Sequence, residues 1–191
     1  MSKILVDTID TRSGTTTLTL GSTNAGTIAL GSGDVQSNFL QPAFEAFLGS
    51  DQTISDNSAT KVQCGTEVYD TASAYDNAAN YRFTVPSGKA GKYYFYGGVK
   101  GQSSSTDTIE AMSIYLYKNG AQARRNEYFQ TSSNDATIIG ASINQVLDLV
   151  AGDYVELYGI VNVSSGTPRF DAGGTGGATY FGAYRIGTWA H

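Results

Sequence analysis

The sequence holds one cysteine, one histidine, one tryptophan, two methionines and three prolines in 191 residues. With Cys64 as the single cysteine, no disulfide can form within the chain, and its setting in "TKVQCGTEV" reads as a buried, inert thiol. The single histidine, His191, is the last residue, which leaves no Ser-His-Asp or Cys-His set around a buried imidazole. No cysteine or histidine spacing matches a zinc site. Charged residues make up 15%, against the usual quarter, and the net charge is −5. The basic footprint of a nucleic-acid binder is therefore missing. The opening "MSKILVDTID" has an apolar run of three before an Asp, too short for a signal peptide or a membrane span. The expectation is a protein made in a cytoplasm without an export signal of its own and without membrane insertion.

Glycine (23), tyrosine (13), phenylalanine (8), serine and threonine fill the space left by charge. That mixture suits strands and tight turns rather than helices. Texture divides the chain. Residues 1–36 contain no aromatic side chain, whereas aromatics are frequent from Phe39 onward, so the expected organisation is an arm (1–36) and a head (37–191). Within the arm, "TLTLGS" (Thr17–Ser22) returns as "TIALGS" (Thr27–Ser32), two short alternating units that cannot bury an apolar face alone.

"NFLQPAFEAFLG" (Asn38–Gly49) fits either a short helix or a first strand behind Pro42, and the strand is favoured. Beyond it, strand signals recur at short spacing. "KVQCGTEVYD" alternates; "NYRFTVPSGKAG" sets Tyr81, Phe83 and Val85 on one face; "KYYFYGGVKG" follows Gly91. "IEAMSIYLYKNGAQARRNEYF" reads as a hairpin turning at Asn119-Gly120. "ATIIGASINQVLDL", "DYVELYGIVNV" and "ATYFGAYRIGTW" complete eight to ten strands with no convincing helix after residue 50. An all-β sandwich or barrel is expected. One stretch breaks the usual pattern: Tyr93, Tyr94, Phe95 and Tyr96 stand side by side, so neither face of that strand reads as solvated. The second pair of rings must pack either within the chain or against other copies of it.

"FTVPSGKAGKYYF" (Phe83–Phe95), "IYLYKNG" (Ile114–Gly120), "LDLVAGDYVEL" (Leu147–Leu157) and "TYFGAYRI" (Thr179–Ile186) resemble, in order and spacing, the C1q/TNF-like jelly-roll head domains. The resemblance covers about residues 44–188 and implies a homotrimeric β-sandwich. It implies that Tyr93, Phe95 and Val99 enter the core. Tyr94, Tyr96 and Tyr180, with Ser142 or Asn144 nearby, would then face neighbouring subunits about a threefold axis. The arm departs from the collagen stalk of such heads, since Gly14, Gly21, Gly26, Gly31 and Gly33 follow no period of three. Its "ILVDTIDTRSGTTTLTLGSTNAG" instead resembles the opening segments of structural proteins from tailed, notably marine, bacteriophages. That resemblance implies a virion location, with Ile4, Leu5, Val6 and Ile9 docking the arm to another virion component or to their threefold mates.

The remaining motifs point away from chemistry. Glu67, Asp70, Asp76, Asp107 and Asp135 read as solvated loop carboxylates without EF-hand spacing. "DAGGTGGA" (Asp171–Ala178) precedes a strand and lacks the Gly-Lys-Ser/Thr ending of a phosphate loop. The basic pair in "ARRN" reads as surface charge or an ion pair with a neighbour, and "NVS" at Asn162 as a chance triplet. The expected protein is not an enzyme and has no cofactor or metal: a short homotrimeric fibre or decoration knob on capsid or tail. The alternative is a receptor-binding tip that holds host surface glycans through loops Gln102–Asp107, Asn134–Asp135 and Ser164–Gly177.

Overall fold

A computed structural model describes residues 41–129, 136–174 and 177–187. The arm, with Ile4, Leu5, Val6 and Ile9, lies outside the described residues, as do Asn134, Asp135 and His191. The described residues form thirteen strands in two antiparallel sheets, with no α-helix among them.

The first sheet contains β1 (Ala43–Phe47), β2 (Gln52–Thr53), β4 (Thr66–Asp70), β7 (Gly91–Ser103), β10 (Ile138–Leu149), β12 (Pro168–Asp171) and β13 (Tyr180–Gly187). The second contains β3 (Thr60–Lys61), β5 (Tyr75–Asp76), β6 (Arg82–Thr84), β8 (Ile109–Lys118), β9 (Ala121–Phe129) and β11 (Tyr154–Val163). The thirteen-residue β7 is the spine of the first sheet. β10 runs along one edge from Gly91 to Gln102, while β13 and β12 share the other edge. Beyond β13 the sheet continues through β1 to β4.

Between the sheets lies an aromatic core. Phe44 stacks on Tyr75 at 4.4 Å and on Phe83 at 5.3 Å, and meets Phe181 edge-on at 5.2 Å. Tyr93, Phe95 and Val99 are buried beside them, as the resemblance implies. Cys64 is fully buried, and burial pushes its thiol up to about 12, so it stays protonated and inert.

The expected Asn119-Gly120 turn joins β8 to β9, both residues having left-handed φ (52° and 79°) as a type I′ turn requires. It is fastened to the next turn through Asp153. That carboxylate accepts from Asn119 Nδ2 at 2.7 Å and Val150 N–H at 2.9 Å, and pairs with Lys118 Nζ at 2.9 Å. Burial pushes the Asp153 carboxyl up, but these donors outweigh it and hold the group below the usual carboxylate range. Asp76 is held at about 2 by Ala79 N–H, the Asn80 amide and Ala78 N–H. Both groups have lower values folded than the ordinary unfolded value of about 3.9, so their contribution is present above that value and is lost on acidification. The melting midpoint should therefore fall as pH drops from about 4 towards 2. In Asp153→Asn the fall should be smaller. Circular-dichroism melts across that range check it, and a midpoint that holds steady down to the lower limit would contradict it.

Five sequence expectations need correction. "KVQCGTEVYD" is not one strand: pairing stops after Lys61 and resumes at Thr66, with Val62 and Cys64 tucked into the core between. Tyr81 does not share a strand face with Phe83 and Val85; it precedes β6 with φ 49°. The expected loop Ser164–Gly177 contains β12, and the expected loop Gln102–Asp107 begins inside β7. The short strands β2, β3 and β5, two residues each, raise the number to thirteen because they are too brief to carry an alternating pattern.

Candidate functional site

Successive side chains of a strand point to opposite faces. On β7, Tyr93, Phe95 and Val99 point inward, which leaves Lys92, Tyr94, Tyr96, Gly98 and Lys100 on the outer face of the first sheet. The antiparallel register carries this face across its neighbours in three rows. One row runs Asn144, Tyr96, Gly182, Glu45, Tyr69. A second runs Val146, Tyr94, Tyr184, Ala43, and a third Ser142, Gly98, Tyr180, Phe47. All five residues expected at a subunit interface (Tyr94, Tyr96, Tyr180, Ser142 and Asn144) thus lie on one face in adjacent rows.

Two glycines let the rings lie down on the sheet. A Cβ at Gly98 would sit 2.6 Å from Tyr180 Cε1, and one at Gly182 would sit 2.3 Å from Tyr96 Cζ. Each tyrosine therefore covers the bare backbone of its cross-strand partner, which protects that stretch of ladder from water. The rings form a continuous file: Tyr184 to Tyr94 at 5.4 Å, Tyr94 to Tyr96 at 6.3 Å, Tyr96 to Tyr180 at 6.4 Å. Tyr96 Oη donates to Glu45 Oε2 at 2.8 Å and lies 3.4 Å from Tyr69 Oη. Burial, then the bonds to Tyr69 and Glu45, push its phenol well above the usual tyrosine range, so it remains a donor. Ion pairs close the file at both ends, Lys92 with Asp148 at 2.7 Å and Lys100 with Asp171 at 3.0 Å. An aromatic centre with a charged rim is the layout of a protein interface.

The exposed apolar side chains tell the same story. Among the described residues, Val68, Tyr69, Ile138, Val146, Tyr184 and Ile186 are exposed, all on β4, β10 or β13, and Val150 follows β10 directly. None is on the second sheet. Tyr184, Tyr69, Val146 and Glu45 were missed by the sequence reading. Tyr184 was within reach, since "TYFGAY" repeats tyrosine four residues on, at the same strand parity as Tyr180.

The outer face of the second sheet also carries tyrosines, but they are satisfied locally. Tyr117 stacks on Tyr158 at 4.2 Å, Arg82 covers the Tyr154 ring at 4.3 Å, and Lys61 pairs with the buried Glu156 at 2.5 Å. Arg125, from "ARRN", pairs with Glu127 of its own strand and lies over Tyr115. Asn162 donates to Glu110 at 2.9 Å. In the loops expected to contact glycans, the hydroxyls face each other: Thr108 Oγ1 donates to Ser103 Oγ at 2.7 Å, and Ser103 Oγ donates to Ser165 O at 3.2 Å. Asp70 and Asp76 cap their own turns through Ala72, Tyr75, Ala78 and Ala79 N–H groups.

No protein-family model and no curated protein matches the sequence. Solved structures do match the fold. The globular domain of zebrafish complement 1qA superposes with a TM-score of 0.53 at 14% identity, over 78% of this chain and 100% of that one. The Eiger TNF structure from S. frugiperda gives 0.54 at 13% identity, over 80% and 95%. The head is a C1q/TNF-like jelly roll. Within this jelly roll the tyrosine face occupies the sheet built on β7, and the solvated, ion-paired face occupies the sheet built on β8 and β11.

Proposed function

We propose that the jelly roll is a non-catalytic head that assembles as a homotrimer through the tyrosine face of its first sheet. The observation that carries this reading is that, among the described residues, the exposed large apolar side chains gather on that sheet, with Val150 directly after its strand β10. A single subunit gains nothing by exposing such a patch, whereas copies that share it bury the rings and keep the Lys92–Asp148 and Lys100–Asp171 pairs at the rim. The fold supports the reading, as the resemblance to trimeric heads implies.

The place of work proposed for the trimer is a virion, as a short fibre or decoration knob on capsid or tail. The support is the arm: it resembles phage structural proteins, and Ile4, Leu5, Val6 and Ile9 give it an apolar segment for docking to another virion protein. Removal of residues 1–36 should leave a folded, trimeric head that no longer co-purifies with particles, scored by light scattering of the head and mass spectrometry of the particles. Incorporation of the truncated head at the level of the full chain would refute the anchor role.

A further inference from the structure

A hollow of about 300 Å³ opens where three connections meet. Its walls come from the turn after β1 with the first residue of β2 (Leu48–Gln52), the segment between β3 and β4 with the first residue of β4 (Gln63, Gly65, Thr66) and Tyr81 ahead of β6. This is the small end of the range for ligand sites, about 300–1,000 Å³.

Tyr81 is the unusual element. It is the one aromatic residue among the described residues with a left-handed backbone, a conformation that bulky side chains rarely adopt. Such a residue persists only where its surroundings fix it, and those surroundings are in place. The Asp76 carboxylate accepts from Ala78 N–H at 3.1 Å, Ala79 N–H at 2.9 Å and Asn80 Nδ2 at 2.6 Å. Lys61 Nζ donates to Asn80 O at 3.1 Å while paired with Glu156. The ring is thereby carried over Gly65, where a Cβ would lie 3.6 Å from Tyr81 Cε1.

The rest of the lining is neutral and ready to bond. Ser50 Oγ, the Gln63 amide, Thr66 Oγ1 and Tyr81 Oη make no hydrogen bond to the described residues. Gln52 is the brace: its Nε2 donates to Lys61 O and its Oε1 accepts Gln63 N–H. The one charged lining residue, Asp51, is engaged from behind: Arg169 Nε lies 3.2 Å from one carboxylate oxygen and Ala172 N–H donates to the other at 3.0 Å. A phosphorylated ligand would find no cation among the lining residues. A ring with an apolar C–H face and several hydroxyls would find an aromatic wall and neutral donors and acceptors at once.

We propose that this hollow binds one neutral sugar unit, seated on Tyr81 and hydrogen-bonded by Gln63, Ser50 and Thr66. The site is complete within one chain and does not rest on the assembly reading. Saturation-transfer NMR on the full chain, with the methyl glycosides of glucose, galactose, mannose and N-acetylglucosamine at millimolar concentration, tests it. At least one should show transfer from protein to sugar ring protons. Tyr81→Gly removes the ring while relieving the left-handed backbone, so it should stay folded and weaken binding about tenfold or more. Gln63→Ala, at an exposed position, should weaken it as well. Absence of transfer to all four sugars, or transfer unchanged in both variants, would overturn the proposal. Sugar binding by a protein that scatters as a monomer would uphold it while removing the assembly reading.

Discussion

Tyr94→Glu combined with Tyr184→Glu is expected to yield a folded protein that scatters as a single 20.2 kDa chain rather than as three. Within one subunit the change loses the Tyr94 ring contacts with Tyr184 and Tyr96 and sets two like charges opposite each other, a cost of about 1–3 kcal/mol that a domain can absorb. Tyr184 is 44% exposed, neither phenol makes a hydrogen bond to the described residues, and the ring pair at 5.4 Å contributes about 0.5–1.5 kcal/mol. In the assembly the same change is severe. It would enclose two extra carboxylates per chain next to Glu45, and an uncompensated buried charge costs several kcal/mol. The far-ultraviolet circular dichroism should match the native protein. Tyr94→Phe with Tyr184→Phe, which keeps the apolar bodies of the rings, should remain trimeric. Soluble, native-like trimers of the double glutamate variant would sink the interface assignment.

Phe44→Ala is expected to produce the largest loss of stability of any single truncation in the head. Phe44 has no solvent exposure and touches three aromatic rings contributed by both sheets: Tyr75, Phe83 and Phe181. Truncation at such a site costs about 3–5 kcal/mol, against a total stability of about 5–15 kcal/mol for a domain. The loss should appear as a large fall in the urea midpoint. A loss below about 1 kcal/mol, the size of an ordinary surface change, would show that the ring is not central to the packing.

The fold was legible in the sequence wherever strands were long. β7, β8, β10, β11 and β13 all fall where alternation, the Asn119-Gly120 turn and the Gly-Asp of "VAGD" placed them. What failed to show was short or broken. β12 hides in a glycine-rich connection, and "KVQCGTEVYD" keeps its alternation through residues 62–65 although the backbone leaves the ladder after Val62 N–H donates to Leu157 O, with Val62 and Cys64 packed inward. The alternation reports burial, and burial does not require a strand. At the tyrosine face, strand parity set Tyr94 and Tyr96 apart from the core, and the resemblance to C1q/TNF-like heads implied Tyr180 with Ser142 or Asn144 beside them. The contributions of Glu45 and Tyr69 depend on β1 and β4 joining the same sheet, a long-range pairing that no local pattern encodes. Tyr81 was misread for a related reason: strand parity places it beside Phe83 and Val85, but the turn held by Asp76 delivers it with reversed φ.

The assembly we propose covers the outer face of the β7 sheet with copies of the same chain. The mass of the native protein in solution, by light scattering at low micromolar concentration, tests it most directly. A trimer at about three times 20.2 kDa is expected, and a clean monomer would contradict the assembly, leaving the tyrosine file packed only within its own sheet.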